Sequence, residues 1–102
     1  MNEVFFDGDD KAKDIYVAKN IRSIKAGKNQ GLVLTDNGTN REVWTWGANT
    51  FTTPVKLILD LDSPVVSIAA GDGKNMLITE NATVYEWDAT ATQVNSNNIV
   101  SK

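Results

Sequence analysis

Short apolar runs alternate along the chain with clusters of Gly, Asn, Asp and Thr, and the same order of runs comes round twice. Ile21–Ala26 and Val65–Ala70 are runs of β-branched and small residues that stop at Gly27 and Gly71, residues suited to a tight turn or a close approach of backbone. Residues 31–35 and 75–79 form second apolar runs, closed by Asp36-Asn37-Gly38 and Glu80-Asn81-Ala82. Asn-Gly between two such runs is a hairpin signal, because both residues tolerate positive φ. Third runs follow at 42–46 and 83–87, where Trp44 and Trp46, or Tyr85 and Trp87, supply bulky packing groups. Residues 54–61 read as a fourth strand, with 93–95 as a shorter counterpart. No segment carries the 3.6-residue period of an amphipathic helix.

Superposing the runs makes the repeat explicit. At an offset of 44 residues, 21–39 aligns with 65–83, and seven of the 19 pairs are identical: Ser23/Ser67, Ile24/Ile68, Ala26/Ala70, Gly27/Gly71, Thr35/Thr79, Asn37/Asn81 and Thr39/Thr83. After the three-residue insertion Asn40-Arg41-Glu42, Val43-Trp44-Thr45-Trp46 matches Val84-Tyr85-Glu86-Trp87. Short strands at this spacing, with a Gly and an aromatic motif in each unit, predict an all-β chain of β-propeller-type blades, about two four-stranded antiparallel units. The boundaries read as 17–61 for the first unit and 62–97 for the second. Residues 1–16, with Val4-Phe5-Phe6-Asp7-Gly8 placed like Val43 to Gly47, read as the end of a preceding unit and a linker. Residues 98–102 resemble Asn20-Ile21-Arg22-Ser23 and read as the first strand of a further one. Two units with unfinished ends imply either a piece of a longer array or a small subunit that completes blades with other copies, for example in a virion or surface assembly.

Composition narrows the chemistry. The 102 residues include no His and no Cys, which excludes imidazole-based triads, His-ligated metals, thiolate nucleophiles, disulfides and iron–sulfur clusters. A 41% hydrophobic and 23% charged composition is that of a globular chain. The net charge of -3 argues against nucleic acid as a partner, and the basic stretch Lys19, Arg22, Lys25, Lys28 reads as a solvated strand edge. No apolar run is long enough for a membrane span, and the first residues lack the charged and apolar regions of a signal peptide.

The motifs Ile68-Ala69-Ala70-Gly71, Leu34-Thr35-Asp36-Asn37-Gly38, Val43-Trp44-Thr45-Trp46-Gly47-Ala48-Asn49 and Thr53-Pro54-Val55 together resemble the regulator of chromosome condensation repeat family. The resemblance covers about residues 17–88. The WD-repeat family ranks second: Trp87-Asp88 fits it, but its Gly-His pair is missing. Departures from the first family are Gln30 and Lys74 in place of a customary His, Gly31 and Asn75 in place of Ser, and a missing loop after the Trp-Gly-x-Asn motif. The resemblance implies a β-propeller used mainly as an interaction platform. A few members act as guanine nucleotide exchange factors, an activity whose loops cannot be mapped onto this chain.

The remaining candidates carry little chemistry. Asp7-Gly8-Asp9-Asp10 is a dense carboxylate cluster interrupted by Lys11 and Lys13, and reads as a turn rather than a calcium loop. Asp60 and Asp62 have the composition of a glycosidase acid pair, although their place before Ser63-Pro64 suits a turn between blades. Gly71-Asp72-Gly73-Lys74 lacks the spacing of a phosphate loop. Asn37-Gly38-Thr39 and Asn81-Ala82-Thr83 match the N-glycosylation pattern but recur at the same turn. The rings of Trp44, Trp46, Tyr85 and Trp87 share a face within each unit and should pack between blades; whichever is exposed could contact a partner or stack on a sugar. The sequence therefore predicts a non-enzymatic protein-interaction or assembly module without cofactor, with protein or its own copies as partner and carbohydrate as the alternative.

Overall fold

The computed structural model describes residues 20–102. The carboxylate cluster at 7–10, Lys19 of the basic stretch and the strand expected around Val4-Phe5-Phe6 lie outside the described residues. Two four-stranded antiparallel sheets account for most of the rest. In the first, β1 (Ile21–Ala26), β2 (Gln30–Asp36), β3 (Arg41–Gly47) and β4 (Phe51–Lys56) lie side by side in chain order. A short strand β5 (Ile58–Leu59) leads into the second sheet, made of β6 (Val65–Ala70), β7 (Lys74–Thr79), β8 (Val84–Asp88) and, after the two-residue β9 (Gln93–Val94), β10 (Ile99–Ser101). Its order is β10-β8-β7-β6, and β5 pairs in parallel with β9 across the link between the sheets.

The two sheets share details that only a repeated unit explains. Each first strand has a register irregularity at the same place, between Ile21 and Ser23 and between Val65 and Ser67. Each then matches its second strand through Ile24↔Val33 or Ile68↔Leu77. The hairpin between β2 and β3 turns at Gly38, with φ +91; its counterpart places Ala82 at φ +66.

Strand alternation sorts the side chains by face. On the first sheet, Gln30, Leu32, Leu34, Val43 and Thr45 point one way, and Ile24, Gly31, Val33, Trp44 and Trp46 the other. On the second, Ile68, Asn75, Leu77, Tyr85 and Trp87 share the face corresponding to the tryptophan face of the first. The core forms where these unlike faces meet: Leu32, Leu34 and Val43, all fully buried, pack with Val65, Ile68, Leu77, Tyr85 and Trp87, and Leu57 and Val94 close the edge. A smaller cluster of Val33 and Trp46, with Ile21, Ile24 and Trp44 against it, lies on the opposite face of the first sheet.

Two expectations change at the sheet edges. The fourth strand of the first sheet is Phe51–Lys56 rather than 54–61, because the chain leaves the sheet at Leu57 and gives Ile58–Leu59 to β9. Pro54 is accommodated because β4 is an edge strand, where a missing N–H need not break a ladder. The strand at 99–101, expected to open a further unit, runs along β8 as the outer strand of the second sheet. Asn98 fastens it there: its side chain donates to the Glu86 carbonyl at 3.2 Å and accepts from the Asn95 N–H at 2.9 Å.

Candidate interaction surface

Where the two sheets meet at the glycine turns, one carbonyl organises the contact. The Gly71 oxygen accepts from Gln30 Nε2 at 2.7 Å and, more weakly, from the Lys28 N–H at 3.4 Å. It comes so close to Gly27 that a Cβ there would stand 2.3 Å from it. Gln30 Nε2 also lies 3.3 Å from the Lys74 carbonyl and from Asn75 Oδ1. A buried amide inside an apolar interface is costly unless paired, and this pairing fixes how the second sheet sits on the first. Gln30 stands at the place where the resembled family keeps a His; the visible signal was a polar residue beside a buried apolar run, but its partners come from across the interface.

Asp62 fastens the link between the sheets to the second sheet. Its carboxylate accepts from Thr83 Oγ1 at 2.5 Å, Thr79 Oγ1 at 2.9 Å and the Tyr85 hydroxyl at 3.4 Å, while the Tyr85 oxygen accepts from the Asp62 N–H at 3.1 Å. The Thr83 hydrogen bond, helped by those of Thr79 and Tyr85, outweighs desolvation and holds the carboxyl below its usual range. A glycosidase acid needs the opposite shift, so this environment fits Asp62 to joining the inter-sheet link to the second sheet rather than to proton transfer. Asp36 is held down similarly, by the Gly38 N–H at 2.9 Å and by Arg41. Arg41 in turn donates to the Val65 carbonyl at 2.5 Å and lies 3.7 Å from Glu80, linking the two hairpins. Among the described residues no group of three or more His, Cys, Asp or Glu is placed to hold a metal.

The aromatic residues separate by position. Tyr85 and Trp87 are inside the two-sheet core, at 1% and 2% exposure. Asn75 and Trp87 face each other across β7 and β8, and neither Asn75 Nδ2 nor Trp87 Nε1 has a partner. Trp46 lies against Gly31, whose missing Cβ would stand 2.3 Å from the ring. Trp44 is half-buried and donates from Nε1 to Glu42 at 3.2 Å.

The outer face of the second sheet presents a different surface. Ser67, Ala69, Met76, Ile78 and Val84 line a shallow apolar depression of about 230 Å³. By the repeat, Met76, Ile78 and Val84 correspond to Leu32, Leu34 and Val43, which the second sheet covers completely. Sequence alignment contained this correspondence, but which copy is covered becomes visible only with the sheets in place.

Comparison with known structures agrees with the repeat. Residues of this chain superpose on Prp20p from Saccharomyces cerevisiae with a TM-score of 0.58 and 21% identity, covering 68% of this chain and 18% of that one. A second structure, yeast RCC1 (Prp20) bound to Kap60, matches with a TM-score of 0.55 and 19% identity over 78% of this chain and 25% of that one. The fold is RCC1-like. The chain spans a quarter or less of the length of these RCC1-like propellers, so its two sheets correspond to a small part of such an array. No protein-family model matches the sequence, and no curated protein matches it.

Proposed function

We propose that this chain is a non-enzymatic interaction module that binds protein partners by extending its own stack of propeller blades. The observation that carries this reading is the outer face of the second sheet: Met76, Ile78 and Val84 repeat the positions that receive the second sheet on the first, where Leu32, Leu34 and Val43 are fully buried, yet they stay half-buried beside a shallow depression. Apolar surface of this kind gains roughly 25 cal/mol per Å² when covered, and a sheet face with that pattern is the natural seat of another sheet. The RCC1-like structures lend support from the partner side, since they were described for Prp20p binding to Gsp1p and histones and for its complex with Kap60, all proteins. Sugar binding has less behind it: three of the four rings, Trp46, Tyr85 and Trp87, are buried, and the Trp44 indole N–H is committed to Glu42.

The experiment is light scattering coupled to size-exclusion chromatography of the 102-residue chain over a concentration series, beside Ile78→Lys. The expected result is a concentration-dependent rise in mass that the lysine abolishes while the circular dichroism of the sheet is retained. A chain that stays monomeric throughout would overturn the self-stacking form of this reading.

A further inference from the structure

The glycine turn of the second sheet gives its carbonyl to the first sheet, but the space beside the Gly71 Cα is filled by nothing in the chain. Gly27 and Gly71 are repeat equivalents, and neither has the positive φ that would itself call for glycine. At Gly27 the missing side chain is needed, because the Gly71 carbonyl and the Gln30 amide that holds it occupy the space: a Cβ would meet them at 2.3 and 2.4 Å. At Gly71 the nearest atom to such a Cβ is the Lys74 carbonyl at 4.0 Å, ordinary contact. The rest of the arrangement is duplicated too. Gln30, which donates to the incoming carbonyl, corresponds to Lys74, whose ammonium lies on the same face as Met76 and Ile78. Lys28, whose N–H also reaches that carbonyl, corresponds to Asp72.

We infer that Gly71, the Asp72 N–H and Lys74 form a seat for a backbone carbonyl from a second copy of this chain, which docks its first sheet on the open face of the second. This rests on the stacking function proposed above and names its recognition chemistry. The internal interface is the template: the incoming sheet must bring a glycine-turn carbonyl and an aromatic third strand. The first sheet of another copy brings both, in Gly27 and in Trp44, with Ile24 beside it on the face turned away from the second sheet. Lys74 is now paired with Asp88 at 2.5 Å, an exposed ion pair that water competes for, so its ammonium can turn to a carbonyl that approaches. A cation can donate where the amide of Gln30 donates, so the seat keeps its function with a different residue.

Sedimentation velocity of the full chain tests this with Gly71→Val, Lys74→Glu and Lys74→Gln, each checked for an unchanged thermal midpoint. Gly71→Val and Lys74→Glu are expected to weaken self-association by about tenfold or more, and Lys74→Gln, which restores the amide of the internal seat, to stay within about threefold of the parent. Self-association that is unaltered by both Gly71→Val and Lys74→Glu overturns the seat and leaves stacking intact. A parent chain that remains monomeric overturns both. Lys74→Glu, at an exposed position, keeps the test available if the valine disturbs the turn.

Discussion

At the scale of single residues the glycines divide by what they are for. Gly38 has the left-handed φ of the hairpin turn, and its repeat counterpart, Ala82, is forced to the same region at φ +66. A Cβ in that region costs about 1 kcal/mol, so Ala82→Gly should stabilise the chain by up to about that amount, measured as a higher urea midpoint with an unchanged slope. Gly31 is the opposite case, with ordinary backbone angles and the Trp46 ring pressed on it. Gly31→Ala drives a methyl into the indole and should cost about 1–3 kcal/mol in the same titration. The sequence marked the turn at Gly38 through its Asn-Gly pair, whereas the need for Gly31 came from a ring on the neighbouring strand, which no local pattern displays.

At the scale of elements, the strands of the two repeated hairpins were legible and those of the link between the sheets were not. Ile21–Ala26 and Val65–Ala70 begin and end where the apolar pattern predicts, because each run of β-branched and small residues is closed by a glycine turn, at Gly27 and Gly71. Residues 51–61 defied that reading, and the partner of the short strand at 93–94 was not visible: β5 and β9 pair with each other across the link, and β10 is held to β8 by Asn98, contacts set by residues far apart in sequence. The same distance hid the role of Asp62. It was visible as one of two acids before Ser63-Pro64, but the hydroxyls of Thr79, Thr83 and Tyr85 that use it belong to the next sheet's hairpin. Because its folded carboxyl titrates below its unfolded one, it contributes stability that is present above the unfolded value and lost as pH falls through the folded value. Thermal midpoints should therefore drop as pH is lowered from about 5 toward 2, and Asp62→Asn should start lower at neutral pH and show a shallower drop. An equally steep acid dependence in Asp62→Asn would assign the effect to other carboxylates, Asp36 first among them, since it too is held low.

At the scale of the whole molecule, the two sheets are stacked with unlike faces together, and the stack consequently has two unlike ends. One end presents the tryptophan face of the first sheet, the other the Met76, Ile78 and Val84 face of the second. Contact between such ends is heterologous, so it propagates head-to-tail into a ring or an open stack rather than closing as a two-fold dimer. That polarity can be tested by blocking the ends separately. Ile78→Lys spoils the receiving face, and Trp44→Glu spoils the incoming one, in each case at a half-buried position on the outside of the stack. Each variant alone should be monomeric, since every contact it could make needs its damaged end. Mixed, they should form a capped 1:1 pair, because one retains a sound receiving face and the other a sound incoming face. A two-fold association through the Met76 face would instead leave Trp44→Glu dimeric by itself and give no gain on mixing. Light scattering of the two variants apart and together separates these outcomes, with circular dichroism of each showing that the sheets are retained.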